Sequence, residues 1–79
     1  MNTVSSASLL TSLEHELAEL KTRVGKLEGF IASEEYSKLG IGDKGMLDRQ
    51  LKAMREYAEI LSTRLERLRS ALIQIQQIV

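Results

Sequence analysis

The feature that most constrains the fold is a series of apolar residues over positions 47–79, spaced alternately four and three residues apart. This heptad spacing keeps one stripe of an α-helix facing a partner helix over many turns. No Pro or Gly interrupts the series after Gly45, so we expect a single helix about 50 Å long. Such a stripe needs a partner, because it would otherwise be exposed to water. Its members are Leu47, Leu51, Met54, Ala58, Leu61, Leu65, Leu68, Leu72, Ile75 and Val79.

A second series with the same spacing lies in the first half of the chain, at Leu10, Leu13, Leu17, Leu20, Val24, Leu27 and Ile31. Two helices with one apolar stripe each can cover each other if the chain turns back between them. The sequence therefore predicts an all-α fold, an antiparallel two-helix hairpin with heptad seams, as a single domain over 1–79. We expect helix 1 over about 8–33, a bend over 34–43 and helix 2 over about 44–78.

The bend contains residues that end helices and begin them. Ser33 can cap a short turn, because its hydroxyl can accept a hydrogen bond from a free backbone amide. Gly40 and Gly42 are expected to break that turn, and Asp43 is the expected N-cap of helix 2.

The lengths of the two helices favour self-association. Helix 2 is expected to be longer than helix 1 by about two turns, which would leave Leu72, Ile73, Ile75 and Ile78 without a partner inside the chain. A chain of 79 residues also has a small core for a monomer. We therefore expect a homo-oligomeric helical bundle. The residues expected to form its interface, or to dock another partner, are Leu61, Leu65, Leu68, Leu72, Ile75 and Ile78.

Composition argues against several classes of function. There is no Cys and one His, His15, so no nucleophilic triad or metal site is predicted, and we expect no enzyme activity and no cofactor. Residues 1–43 carry four basic and seven acidic side chains, and residues 44–79 carry seven and four. Two halves of opposite sign do not favour duplex nucleic acid as a partner. No apolar run is long enough to cross a membrane and no signal peptide is recognisable, so a cytoplasmic location is expected.

Two groups of cationic residues are candidate binding sites. The first group is expected around the bend, where aromatic faces beside cations could hold a nucleotide through stacking and phosphate contacts. The alternative is an amphipathic face without a ligand. The members of this group are Tyr36, Lys38, Lys44, Arg49, Arg55 and Tyr57.

The second group is the basic run Arg64, Arg67 and Arg69. Arg64 and Arg67 share one flank of helix 2, where Glu59 and Glu66 are close enough in sequence to be considered as ion-pair partners. The run is therefore either a salt-bridged surface or a site for phosphate or carboxylate, which suit the fork of an Arg side chain.

The middle of the chain carries the pattern Lys-Leu-x-x-Phe-Ile-x-Ser at 26–33, followed by Gln-Leu-x-x-Met-x-x-Tyr-x-x-Ile-Leu at 50–61. In this pattern it resembles a family of small tailed-phage and prophage proteins. The resemblance covers about half of the chain and includes no catalytic motif. It implies a phage origin, which for a protein of this size implies stoichiometric binding, in the host cytoplasm, to a host factor.

Two functions are compatible with these observations. The first is counter-defence, in which an oligomeric helical bundle sequesters a cyclic nucleotide that serves as an immune signal. The second is a protein–protein inhibitor or adaptor that docks a host defence protein through exposed helix faces. The second would use the apolar residues after Leu72 and the flank that carries Arg64.

Overall fold

A computed structural model describes the backbone of residues 6–78 and the side chains of residues 7–74. Within this range the chain forms three helices and no strand: α1 over Ser6–Ile31, α2 over Glu34–Ser37 and α3 over Ile41–Ile78. The long helices α1 and α3 pack against each other as a hairpin, and the molecule measures 59 × 25 × 17 Å. The predicted all-α hairpin is confirmed. Neither long helix has, in its described part, a stretch apolar enough to span a bilayer.

The core is a layer of leucines between the two long helices. Leu13, Leu17 and Leu20 of α1 pack with Leu61 and Leu65 of α3, and Leu61 has no exposed surface. All five belong to the two heptad series. The other described members of both series are half-buried or, like Leu51, buried. One stripe on each helix therefore accounts for the buried surface of the hairpin, because a helix can bury only the stripe that faces its partner.

The bend begins with a capped turn. Ser33 has an extended backbone (φ −87°, ψ 165°), and its Oγ accepts a hydrogen bond from the Tyr36 amide at 3.4 Å. The same hydroxyl donates to the Phe30 carbonyl oxygen at 2.5 Å. The predicted role of Ser33 as the cap of a short turn is confirmed, and α1 ends two residues before it.

Helix α3 begins earlier than the sequence predicts. The Gly40 carbonyl oxygen accepts a hydrogen bond from the Lys44 amide at 3.0 Å, so Gly40 occupies the position that precedes the first helical residue. Gly42 was predicted, with Gly40, to break the short turn before α3, and Asp43 was predicted to cap α3; both predictions are wrong for these two residues, which lie inside the helix. Gly42 has no positive φ and continues the helix, while Asp43 lies in its first turn, where a carboxylate favours the helix dipole.

Two ion pairs between the helices define their register. Glu14 pairs with Arg69 at 2.7 Å and Glu28 pairs with Arg55 at 2.5 Å, so fourteen residues forward along α1 match fourteen residues backward along α3. Extended by helical geometry, this register brings the start of α1 level with the end of α3. The unmatched part of α3 is therefore its beginning, where Ile41 is 90% exposed.

The predicted overhang at the end of the chain is corrected by this register. Leu72 is half-buried rather than unpartnered, because α1 begins at Ser6 and therefore extends along the hairpin beyond the position of Leu72. Ile73 is 53% exposed, and the side chains of Ile75 and Ile78 lie outside the described residues.

We expect the leucine layer to dominate the stability of the hairpin. Leu61→Ala would leave a cavity in the centre of the core and should lower the free energy of unfolding by about 3 kcal/mol. Ile73→Ala is the matched control, because it removes a large aliphatic side chain from the same helix at an exposed position, and it should change stability by about 0.5 kcal/mol or less. Urea denaturation of both variants measures the difference. Equal effects would contradict the assignment of the core.

The glycines of α1 lead to a prediction of increased stability. A Cβ atom added at Gly25 or Gly29 would meet no other atom within 4 Å, and Gly costs about 1 kcal/mol relative to Ala inside a helix. The variant Gly25→Ala/Gly29→Ala should therefore unfold at a higher urea concentration, with a gain of about 2 kcal/mol. A loss of stability would mean that another surface approaches these two positions closely.

Candidate functional site

Tyr36 connects the bend to the start of α3. Its hydroxyl donates a hydrogen bond to Asp48 Oδ1 at 2.9 Å and lies 3.5 Å from the Lys44 carbonyl oxygen. Its ring meets Phe30 edge-on with the centroids 6.4 Å apart, and Lys44 Nζ lies 5.7 Å from the ring centroid. Because its hydroxyl, one edge and one face are all engaged, Tyr36 stabilises the bend and has little ring surface free for stacking.

The other cations of the bend are loosely held at the surface. Lys38 Nζ lies 3.9 Å from a carboxylate oxygen of Glu35, and both side chains are more than half exposed. Arg49 donates to the sulfur of Met46 at 3.9 Å. Exposed contacts of this kind contribute little to stability, so these two cations stay accessible to solvent.

The remaining two members of the predicted bend group lie elsewhere. Arg55 pairs with Glu28 of α1, and the Tyr57 hydroxyl donates a hydrogen bond to Glu16 of α1. Tyr57 is thirteen residues beyond Lys44, which is about 20 Å along a helix. The structure thus brings Tyr36 and Lys44 together, while helical rotation directs Arg55 and Tyr57 toward α1 and not toward the bend.

The residues predicted to form an oligomer or partner interface lie largely inside the hairpin. Leu61 is completely buried and Leu65 is 3% exposed, so neither has surface left for a second protein. Leu68 and Leu72 are half-buried, and the side chains of Ile75 and Ile78 lie outside the described residues. The heptad stripe of α3 is used by α1, which leaves the opposite face of α3 as the available surface.

That opposite face contains a shallow groove with a volume of about 410 Å³. We refer to it as the α3 groove, and its lining residues all belong to α3: Glu56, Glu59, Ile60, Thr63, Arg64 and Arg67. Ile60 is 55% exposed at its centre, and Tyr57, one turn away, is 41% exposed. The central residues 56, 60, 63 and 67 repeat the alternation of four and three that marks the core stripe. This second stripe can be recognised in the sequence by its spacing, but a search for apolar residues does not find it because several of its members are polar.

The arginines of the α3 groove are unpaired. Glu59 lies five residues before Arg64, too far around the helix for a side-chain pair, which requires a spacing of three or four. Within the described residues, neither Arg64 nor Arg67 forms an ion pair, whereas Arg69 pairs with Glu14. The structure thus divides the predicted basic run into one arginine that joins the two helices and two that face solvent.

Comparison with models of known protein families assigns the chain to a family. The model of the Sequestin family matches residues 7–67, which is most of the chain. The chain belongs to the Sequestin family. No curated protein and no solved structure matches it.

The Sequestin match includes α1, the bend and α3 as far as Arg67. It therefore includes the whole α3 groove and ends before Arg69 and the apolar residues that follow. The family name is consistent with a role in binding or sequestering a partner. In the described part of this Sequestin chain no group of three or more His, Asp or Glu side chains is arranged to hold a metal ion.

Both tyrosines of the Sequestin hairpin have a pKa above the usual 10.0. Burial raises the pKa of Tyr36, and its hydrogen bond to Asp48 raises it further. The hydrogen bond to Glu16 is the largest cause for Tyr57, while the nearby charge of Arg64 lowers its pKa.

These shifts predict how stability depends on pH. A pKa that is higher in the folded state favours the neutral phenol, so this contribution is complete below about pH 10 and is lost as the pH rises through the folded pKa. Asp48→Ala removes one cause of the shift at Tyr36 and should bring its titration midpoint closer to 10.0. Tyrosine absorbance against pH checks this, and the midpoint of Tyr57 should not change. Midpoints that are identical in both proteins would contradict the hydrogen bond.

Proposed function

We propose that this chain is a non-catalytic phage protein that sequesters a phosphate-bearing small molecule, and that the ligand is a cyclic nucleotide serving as an immune signal. The observation that carries the proposal is the pair of unpaired arginines, Arg64 and Arg67, that line the α3 groove on the face that the hairpin does not use. Membership of the Sequestin family supports the sequestering role. The resemblance of 26–33 and 50–61 to small phage proteins supports counter-defence as its purpose.

The groups on this face are suited to a nucleotide. Arg64 and Arg67 present planar forks of N–H donors, which match the oxygens of a phosphate. Tyr57 lies at the edge of this face, where its hydroxyl bonds to Glu16 of α1, and its ring, which is 41% exposed, offers an aromatic surface on which a base can stack. Thr63 adds a hydroxyl in the α3 groove, and Ile60 gives its floor an apolar surface. Phosphate, base and sugar would each meet a group of suitable chemistry.

The size of the α3 groove also agrees with a small ligand. Its volume of about 410 Å³ lies in the range of small-molecule sites, about 300–1,000 Å³. Sequestration requires affinity for the ligand but no catalytic group. Two guanidinium groups, an aromatic ring and a hydroxyl can supply that affinity. Copies of the chain would assemble so that each ligand lies between hairpins.

Calorimetric titration against a panel of cyclic di- and trinucleotides tests the proposal. We expect at least one of them to bind, and Arg64→Ala to weaken that binding by about 10-fold or more, because hydrogen bonds to a charged group contribute about 1.5–3 kcal/mol. Arg23→Ala is the matched control, since it removes an exposed arginine from α1 and should leave the affinity unchanged.

No heat with any nucleotide would contradict the proposal, as would an equal loss of affinity in both variants. If no nucleotide binds, capture of a host protein by the tagged chain in a one-to-one ratio would favour the alternative function, an inhibitor that docks a host protein.

A further inference from the structure

A second groove lies on one flank of the hairpin, between the two long helices. Its volume is about 350 Å³, and we refer to it as the flank groove. It is lined by Glu14, Leu17, Ala18 and Lys21 of α1 and by Leu65 and Arg69 of α3. The flank groove shares no lining residue with the α3 groove. It is therefore a separate place for a ligand, and a ligand in it would contact both helices.

A small side chain at the edge of α1 opens the flank groove. Ala18 lies four residues after Glu14 and three residues before Lys21, so these three side chains share one edge of the helix. The single methyl group of Ala18 leaves a gap between two long charged side chains. The floor of the gap is formed by Leu17 and Leu65, which are 9% and 3% exposed. The flank groove thus combines an apolar floor with charged ends.

The charges on this flank follow the register of the hairpin, with one break. The two ion pairs that define the register join positions 14 and 28 of α1 to positions 69 and 55 of α3. Midway between these pairs, the same register brings Lys21 level with Ser62. An acid at position 21 and an arginine at position 62 would continue the series. The middle position has instead a cation and a half-buried serine, and a serine cannot neutralise a cation.

The polar groups at this break are available to a ligand. Within the described residues, neither the ammonium group of Lys21 nor the hydroxyl group of Ser62 makes an ion pair or a hydrogen bond. Arg69 is engaged only in part, because its contact with Glu14 uses Nη2 and a guanidinium group has five N–H donors. Lys21 and Arg69 therefore both have donors for an acceptor that enters the flank groove.

We propose that the flank groove binds a small organic carboxylate with an apolar body, of the class of aliphatic and aromatic monocarboxylates. The carboxylate group lies between Lys21 and Arg69, whose N–H donors suit its two oxygens, and the apolar body covers Leu17 and Leu65. The lining has one acid and two cations, a balance of +1, which a monoanion neutralises. A phosphate dianion would leave excess negative charge beside Glu14. The inference goes beyond the proposed function, because it concerns a different ligand on a different surface.

Amide spectra of the ¹⁵N-labelled protein, recorded during titration with hexanoate and with benzoate, test the proposal. We expect the signals of residues 14–21 and 65–69 to shift and those of residues 56–60 to stay unchanged. The neutral amides hexanamide and benzamide are the matched probes, because they keep the apolar body and lose the charge. They should bind about 10-fold more weakly, and inorganic phosphate should bind more weakly than either carboxylate.

Two variants test the charge and the gap separately. Lys21→Gln should raise the dissociation constant of each carboxylate about 3-fold, since ion pairs with an exposed side chain are weak. Lys26→Gln is the matched control, because it removes an exposed cation from another edge of α1 and should leave the affinity unchanged. Ala18→Leu fills the gap and keeps both cations, so it should abolish the shifts, and circular dichroism verifies that each variant is folded.

Absence of shifts with both carboxylates would overturn the proposal, as would equal affinities for a carboxylate and its amide. So would tighter binding of inorganic phosphate, or a folded Ala18→Leu protein that keeps the affinity of the parent protein. Equal effects of Lys21→Gln and Lys26→Gln would also overturn it. No nucleotide is used in these titrations, so their result is independent of whether the α3 groove binds one.

Discussion

The structure depends on one contact, the layer of leucines between α1 and α3. Leu61 at its centre has no exposed surface, and the layer is made from a single stripe on each helix. Because a helix turns by about 100° per residue, the choice of that stripe determines where all other side chains of α3 point. It directs Arg55 and Tyr57 toward α1, and it leaves the face with Ile60 to solvent. The candidate site is thus a consequence of the core, since it consists of what the core does not use.

The exposed face carries an arrangement that stability alone does not explain. Surface charges usually lie where they can pair at a spacing of three or four residues, as Lys38 does with Glu35. On the groove face Arg64 and Arg67 instead have no acidic residue three or four positions away on α3, and neither forms an ion pair within the described residues. Unpaired arginines are suited to an anionic ligand. This use agrees with a family whose name refers to sequestration.

The sequence predicted the hairpin because heptad spacing reports directly on which stripe is buried. It predicted the cap at Ser33 for a similar reason, since a cap is a local interaction. It failed at the start of α3, because Gly42 accepts helical geometry when the following residues pack against the rest of the chain. The overhang was misplaced because register depends on the length of the bend and on where α1 begins, and periodicity determines neither.

The candidate site was predicted only in part. Tyr36 and Lys44 do meet at the bend, but as a contact that stabilises it. Arg64 was noticed as a possible anion site, and an ion pair was the expected alternative for it, because its distance in sequence from Glu59 looked short. The five-residue spacing turns these two side chains to different sides of α3. The second stripe was missed because two of its four central members are charged, and a search for apolar periodicity does not find such a stripe.

The central claim is that ligands bind on the outer face of α3 and not at the bend. Amide spectra of the ¹⁵N-labelled protein, recorded during titration with a cyclic nucleotide, test it most directly. The account predicts that the shifted signals cluster at residues 56–67, with the bend at 33–45 unchanged. Shifts confined to the bend, or no shifts with any cyclic nucleotide of the panel, would contradict it.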